Sequence, residues 1–124
     1  MKRGNWRSSA VWFVLLLPLL VAASCKAYIV HVTVMNHTGS AVSLLEVDYP
    51  SASFGVNSLP AGAVYHYHLQ LEDSGPFKVQ YTDSKKREWK STGPTVHQGQ
   101  QGDVEIVLMP GGKTQFHPKL DPPN

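Results

Sequence analysis

Two histidines in the middle of the chain, His66 and His68, come closest in type and spacing to a chemical site. They flank Tyr67, and residues i and i+2 of a β-strand project to the same side, so both imidazoles can reach one metal ion, Zn²⁺ or Cu²⁺. A third ligand is needed, and His31 can supply it if its strand lies alongside. The competing interpretation is a pair of solvated surface histidines, because an alternation that buries Tyr67 turns both imidazoles outward.

A compact basic cluster, Lys85-Lys86-Arg87, falls between two segments that have strand character. Near an anionic membrane each such charge contributes about 1 kcal/mol to binding. Asp83 and Glu88 flank the cluster, so a solvated turn at the tip of a hairpin is the simpler interpretation. Contact with a membrane surface is the alternative.

Motifs for catalysis and for cofactors are weak throughout the chain. Ser53 lacks the glycine two residues earlier that a nucleophile elbow requires. Residues 99–102, Gly-Gln-Gln-Gly, lack the Lys-Ser/Thr of a phosphate-binding loop. Glu46 and Asp48 share one face of a strand and are expected to be solubilising charges. The sequence therefore predicts neither an enzyme nor a cofactor, with a hydrolase of unrecognised type as the alternative.

Residues 36–38, Asn-His-Thr, match the N-glycosylation acceptor pattern, in which Asn36 would carry the glycan. Short patterns of this kind occur often by chance. In a eukaryotic secretory pathway a glycan on this turn is expected, whereas in a bacterial envelope the pattern has no role.

The charge balance argues against nucleic acid as a partner. The formal net charge of +2 comes from 11 basic and 9 acidic residues, but Lys2, Arg3 and Arg7 all lie among the first ten positions. Without these three, eight basic residues face nine acidic ones. The rest of the chain therefore lacks the basic stripe that nucleic-acid binding requires.

Residues 1–24 have the layout of a secretory signal peptide. Residues 1–9 are polar with three positive charges, and 10–23 are apolar. This is the charged region, the apolar region of about 7–15 residues and the small-residue exit of an export signal. A spanning helix needs about 17–25 apolar residues, and Lys26 ends the run sooner. We predict a hydrophobic signal helix, with an uncleaved anchor whose Lys26 reaches the interface as the alternative.

Cys25 is the single cysteine of the chain, so no intrachain disulfide can form. It directly follows residues 21–24, Val-Ala-Ala-Ser, and this arrangement resembles the lipobox of bacterial lipoproteins. The resemblance implies that the Cys25 thiol carries a diacylglycerol, that the signal is removed before it, and that Lys26 directs the protein to an outer membrane. Residues 25–27 would then be the only linker between lipid and domain. Ordinary cleavage nearby, which leaves Cys25 incidental, is the alternative.

An alternation of apolar and polar residues begins near Tyr28 and predicts β-strands. Val42 and Leu44 are out of phase with the rest of the second strand, which predicts a β-bulge there. Residues 92–102 are predicted to be a polar loop, and 111–124 a disordered tail rich in proline and glycine. The predicted strands are 28–35, 41–49, a short one at 54–56, 63–71, 77–82, 87–91 and 104–108.

About seven short strands and no helical pattern after residue 27 predict an all-β fold. We expect a small antiparallel β-sandwich over 28–110, immunoglobulin-like in general architecture. The Cys…Trp…Cys signature of true immunoglobulin domains is absent. Roughly 20 inward apolar side chains, at about 1.5–3 kcal/mol each, supply a core that folds without disulfides.

These features together predict an exported protein of the cell envelope, anchored to a membrane and facing the periplasm or the cell exterior. The expected role is a binding or structural module. An open sheet edge and the 92–102 loop are the candidate places of contact with an envelope protein. A periplasmic metal-binding protein that uses His66 and His68 is the alternative.

Overall fold

The computed structural model describes residues 28–122, which form eight β-strands and one 3₁₀ turn. The predicted signal peptide (1–24) and Cys25 with its linker (25–27) lie outside the described residues. Within 28–122 there is no helix of the length and apolar character that crossing a membrane requires. The elements are β1 (Val30–Asn36), β2 (Val42–Tyr49), β3 (Ala52–Leu59), β4 (Val64–Leu69), β5 (Gly75–Thr82), β6 (Glu88–Val96), β7 (Gly102–Met109), the 3₁₀ turn (Pro110–Gly112) and β8 (Lys113–Leu120).

The strands form two four-stranded sheets that enclose one core. The first sheet has the order β4-β1-β7-β8, and the second has the order β3-β2-β5-β6. Neighbouring strands are antiparallel except for β1 and β7, which are parallel. The prediction of a small all-β sandwich is confirmed, with eight strands in place of about seven.

The core lies between the sheets and is built from alternate residues of the inner strands. Each fully buried aliphatic or aromatic side chain stabilises the fold by about 1.5–3 kcal/mol relative to an exposed one. The period of two puts these side chains on one face and leaves the other face polar. The fully buried residues include Val30, Val32 and Val34 of β1, Leu45 and Val47 of β2, Phe77, Val79 and Tyr81 of β5, and Val104, Ile106 and Leu108 of β7.

The predicted bulge is present in β2. Between Ser43 and Glu46, the pairing of β2 with β5 gains one residue on the β2 side. Leu44 takes a φ of 51° and its side chain is 65% exposed. Because the extra residue shifts the alternation by one position, Val42 and Leu45 both point into the core despite their odd spacing.

The predicted disordered tail is wrong over most of its length, because Lys113–Leu120 forms β8. This strand pairs with β7 along its whole length, and Asp121 continues the contact through its backbone N–H, which donates to the Gln101 carbonyl at 3.0 Å. Pro118 lies within β8, where an edge strand tolerates it because only one side of the strand is paired. The domain therefore extends beyond residue 110.

The polar loop predicted at 92–102 is also corrected, because β6 continues to Val96 and leaves a connection of only 97–101. Gly93 and Pro94 suggested a loop, but β6 is an edge strand and accepts proline. Phe116 of β8 packs against Gly93, where a Cβ would lie 2.6 Å from the ring. The glycine therefore lets the two sheets close along the side formed by β6 and β8.

The sandwich has two ends that differ in what they contain. We call the end where the described chain begins, at 28–29, the proximal end, and the opposite one the distal end. Strands of seven or eight residues, at about 3.3 Å per residue, separate the ends by about 25 Å. Connections 50–51, 70–74 and 97–101 lie at the proximal end, and connections 37–41, 60–63, 83–87 and 110–112 lie at the distal end.

Candidate functional site

Three distal connections surround a cavity of about 210 Å³, which we call the distal pocket. The first connection lines it with Thr38 and Ser40, and the third with Pro110–Gly112. The second, the hairpin tip at 83–87, lines it with all its residues except Lys86. Tyr81 also lines the pocket. Burial, and secondarily the charge of Asp83, raise the pKa of Tyr81, so its hydroxyl keeps its proton and can donate a hydrogen bond.

Asp83 organises the hairpin tip beside this pocket. One carboxylate oxygen accepts hydrogen bonds from Trp89 Nε1 and Arg87 Nε, both at 2.9 Å. The other accepts from the backbone N–H groups of Lys85 and Arg87, also at 2.9 Å. These bonds, with that of Trp89 the largest contribution, hold the pKa of the Asp83 carboxyl well below its ordinary value of 3.8. The charge of Asp83 is thus used within the tip.

Trp89 is held between two neighbours. The Arg87 guanidinium carbon lies 5.5 Å from the centre of the indole ring, within the range of a cation–π contact. Gly112 lies against the ring so closely that any Cβ at this position would overlap it, and its φ of 77° also favours glycine. Because these contacts cover the indole, the chemistry open to a ligand comes from the exposed basic side chains of Lys85, Lys86 and Arg87 and from the hydroxyl groups.

The Thr38 hydroxyl and the Ser40 backbone beside the pocket are positioned by Asn36, which is fully buried. Its Nδ2 donates to the carbonyl oxygens of Ser40, Leu59 and Pro60 at 2.8, 2.9 and 3.2 Å. Its Oδ1 accepts from the backbone N–H and the hydroxyl of Thr38 at 3.0 and 2.7 Å. A glycan on Asn36 would require this buried amide nitrogen, so the glycosylation prediction is wrong for the folded protein.

The basic cluster and the start of the described chain lie at opposite ends of the sandwich. If the chain is anchored before Tyr28, the cluster is about 25 Å from the anchored end. Charge interactions fall off over about 8 Å at physiological ionic strength, which disfavours the membrane-contact alternative for Lys85, Lys86 and Arg87. The described proximal connections and residues 121–122 contain no lysine or arginine, but they do contain Glu72, Asp73 and Asp121.

His66 and His68 are exposed on the outer face of the first sheet, as the alternation predicted. His31 lies directly opposite His68 in the register of β1 with β4, and the two ring centres are 6.3 Å apart. His66 instead faces Thr33, whose Oγ1 is 3.3 Å from its Nδ1. Among residues 28–122, no three His, Cys, Asp or Glu side chains converge on one point. Metal binding therefore stays a prediction.

The side of the sandwich formed by β3 and β4 has open strand edges. Neither strand contains proline, lysine, arginine or an acid, and these are the residues that commonly block an edge. Phe54 closes the core on this side by stacking on Tyr67 and Tyr65, with ring centres 4.1 and 6.1 Å apart. The open sheet edge predicted from the sequence is thus placed at β3 and β4.

Sequence reasoning missed the distal pocket and the two residues that organise it. Asn36 was considered only as a glycan acceptor, and Asp83 only as a charge beside the basic cluster. The signals available were a turn after β1, the hairpin tip, and Pro110-Gly111-Gly112. Each is an ordinary turn by itself, so their convergence needed the arrangement of the sheets.

Comparison with known proteins bears on the fold alone. Neither the known protein families nor the curated protein sequences include a match to this chain. Among solved structures, the chain is similar to the NMR structure of a protein from Eubacterium rectale. The two are 12% identical, the match covers 72% of this chain and 86% of that one, and the TM-score is 0.57. At this identity the likeness supports the β-sandwich fold and says nothing of a ligand or partner.

Proposed function

We propose that this protein is an exported, membrane-anchored module of the cell envelope that binds a partner through its distal end. The observation that carries the proposal is the placement of two features at opposite ends of the sandwich. The described chain begins at the proximal end, three residues after Cys25, whereas the distal pocket lies about 25 Å away. An anchor at Cys25 would therefore hold the pocket away from the bilayer, where a partner can reach it.

The chemistry of the distal end favours an acidic partner. Lys85 and Lys86 are exposed and form no side-chain ion pair within residues 28–122, whereas Arg87 is paired with Asp83. Ser40 adds a hydroxyl group to the lining of the pocket, whereas the Thr38 hydroxyl is already engaged with Asn36 Oδ1 and the Ser40 carbonyl. We therefore propose that the partner is an envelope protein that presents carboxylate side chains to this end, since cationic side chains and hydroxyls both serve as donors to carboxylates.

The anchoring half of the proposal is tested by the intact mass of the protein extracted from its native membrane. The expected product begins at Cys25 and carries the added mass of the acyl chains. A product cleaved elsewhere without lipid, or an unprocessed full-length chain, would overturn the lipoprotein assignment. The second of these products would favour the uncleaved anchor.

The binding half is tested by photo-crosslinking in intact cells. A photoreactive amino acid is placed singly at Ser84 on the hairpin tip, at Ser74 in a proximal connection, or at Asn57 on the edge of β3. All three positions are exposed. We expect a discrete protein adduct from position 84 and none from position 74. An adduct from position 57 alone would indicate that the partner binds by strand addition at the open edge of β3 and not at the distal end.

The charge requirement has a matched control on another face of the same domain. The double variant Lys85→Gln/Lys86→Gln removes two charges that take no side-chain part in the Asp83 network. The control, Lys78→Gln/Lys90→Gln, removes two exposed charges from the outer face of the second sheet. We expect only the first pair to abolish the adduct at position 84. An adduct that survives both changes would refute recognition through these lysines.

A further inference from the structure

The outer face of the first sheet collects four of the six histidines of the chain. They are His31 on β1, His66 and His68 on β4, and His117 on β8, and all four side chains are exposed. The distal-end proposal leaves this face unused. Imidazole is the commonest protein ligand for Zn²⁺ and Cu²⁺, so a face that brings histidines from neighbouring strands together is a candidate site for such ions.

We propose that His31 and His68 form a two-histidine surface site for a divalent transition-metal ion, with Cu²⁺ preferred over Zn²⁺. The two residues are direct partners on adjacent antiparallel strands, and their ring centres are 6.3 Å apart. With metal–nitrogen bonds of about 2.0 Å, two imidazoles in neighbouring positions of a tetragonal set have ring centres roughly 4.5 Å apart. A small rotation of either side chain therefore closes the site. Both side chains are exposed and free to make that rotation.

The cross-strand pair differs from the pair that the sequence suggested. His66 shares a strand with His68, but its Nδ1 lies 3.3 Å from the Thr33 hydroxyl, and its partner across the strands is Thr33 and not a histidine. The register therefore favours His31 over His66 as the companion of His68. The opposite neighbour of His31 on β7 is Asp103, which pairs in turn with Lys119 of β8. Since no three His, Cys, Asp or Glu side chains converge among residues 28–122, Asp103 is not counted as a ligand, and in the proposed site water completes the coordination.

The preference for Cu²⁺ follows from the small number of protein ligands. Sites with nitrogen and oxygen donors bind divalent first-row ions in an order that peaks at Cu²⁺. Structural Zn²⁺ sites are usually closed by four protein ligands, whereas Cu²⁺ readily takes a tetragonal set of imidazole and water ligands. Two imidazoles on an open face suit the tetragonal Cu²⁺ arrangement but are too few to close a Zn²⁺ site.

The site is tested by calorimetric titration of CuCl₂ into the full-length chain in detergent, with Cys25→Ser in every variant so that the thiol does not compete. We expect one Cu²⁺ per chain and an electron paramagnetic resonance spectrum that shows two coordinating nitrogens. His31→Gln or His68→Gln should each weaken binding about ten-fold or more and leave one coordinating nitrogen. Circular dichroism confirms that each variant keeps its strand content.

The matched control is the double variant His37→Gln/His97→Gln, which removes two exposed histidines from the connections at the two ends. It should bind Cu²⁺ as tightly as the parent chain. The proposal is overturned if His31→Gln binds like the parent, or if the control loses as much affinity as His31→Gln. It is also overturned if binding depends on His66 and not on His31, which would restore the same-strand pair.

Discussion

Replacing Asn36 by aspartate isolates the hydrogen-bond donors that connect two distal connections. Aspartate has the size of asparagine and keeps an oxygen that can accept from Thr38. It also puts a second oxygen where Nδ2 now donates to the carbonyls of Ser40, Leu59 and Pro60. Asn36 is 0% exposed, so this oxygen has no access to water. The variant therefore loses three donor contacts without creating a cavity.

The magnitude follows from the burial of each acceptor. The bond to Leu59 is buried, whereas those to Ser40 and Pro60 are partly buried. An unsatisfied buried polar group costs about 1–3 kcal/mol, and one that reaches water costs less. We expect Asn36→Asp to lower the free energy of unfolding by about 3 kcal/mol at pH 7. That is a large share of the 5–15 kcal/mol typical of a domain.

The pH dependence of the variant provides a second signature. Burial against three carbonyl oxygens would raise the pKa of the new carboxyl, because its charged form is disfavoured there. Below about pH 4 the carboxyl is protonated in both the folded and unfolded chain, and a protonated oxygen can donate one bond. As pH rises above that value, the unfolded chain loses the proton first and the stability of the variant falls further below that of the parent.

The assay is urea unfolding at pH 4 and pH 7, followed by circular dichroism, with Thr38→Val as the control. The control removes the hydroxyl that bonds to Oδ1 at 2.7 Å and to the Ser40 carbonyl and N–H at 2.9 and 3.3 Å, so a loss of about 1–2 kcal/mol without pH dependence is expected. An Asn36→Asp chain with the parent midpoint at pH 7 would refute the reasoning. Equal destabilisation at both pH values would refute the electrostatic part.

Three further predictions concern the strands and the hairpin tip. Gly93→Ala should lower stability by about 1–3 kcal/mol in thermal unfolding, because its Cβ would lie 2.6 Å from the Phe116 ring, and Phe116→Leu should partly restore it. Asp83 has a depressed pKa, so its stabilisation is complete above about pH 4 and is lost as pH falls through the folded value; Asp83→Asn should flatten the acid limb of the stability profile. Removing the chain from Lys113 onward should expose the edge of β7 and give aggregated protein by light scattering.

Strict alternation predicted the strands whose inner faces are aliphatic, and it failed where edge strands carry other signals. The inner strands β1 and β2 were placed to within two residues at each end, since alternate side chains of β1, and of β2 beyond its bulge, are buried against the other sheet. β8 was missed because Phe116 and Leu120 are its only large apolar residues and Pro118 interrupts the pattern. An edge strand is held mainly by its single neighbour, and no neighbour can be identified from one strand alone.

The candidate sites were predictable only in part, for the same reason. The outward direction of His66 and His68 follows from the alternation within β4, which is local. The position of His31 beside His68, 37 positions later, depends on the register of two strands that are distant in sequence, and several registers would keep the same faces buried. The distal pocket is formed by three connections that only the pairing of distant strands brings together, so no single segment indicates it.

In the proposed arrangement, the charges of the domain favour its distal end at an anionic membrane, whereas the anchor at Cys25 holds its proximal end there. An anionic bilayer surface would repel Glu72 and Asp73 at the proximal end and attract Lys85 and Lys86 at the distal end, each by about 1 kcal/mol when close to the surface. Acyl chains contribute about 0.8 kcal/mol for each buried CH₂, so an anchor at Cys25 outweighs these terms and fixes the proximal end at the membrane. In an upright domain the two lysines lie about 25 Å from the surface, beyond the reach of its field, and are free to bind an acidic partner.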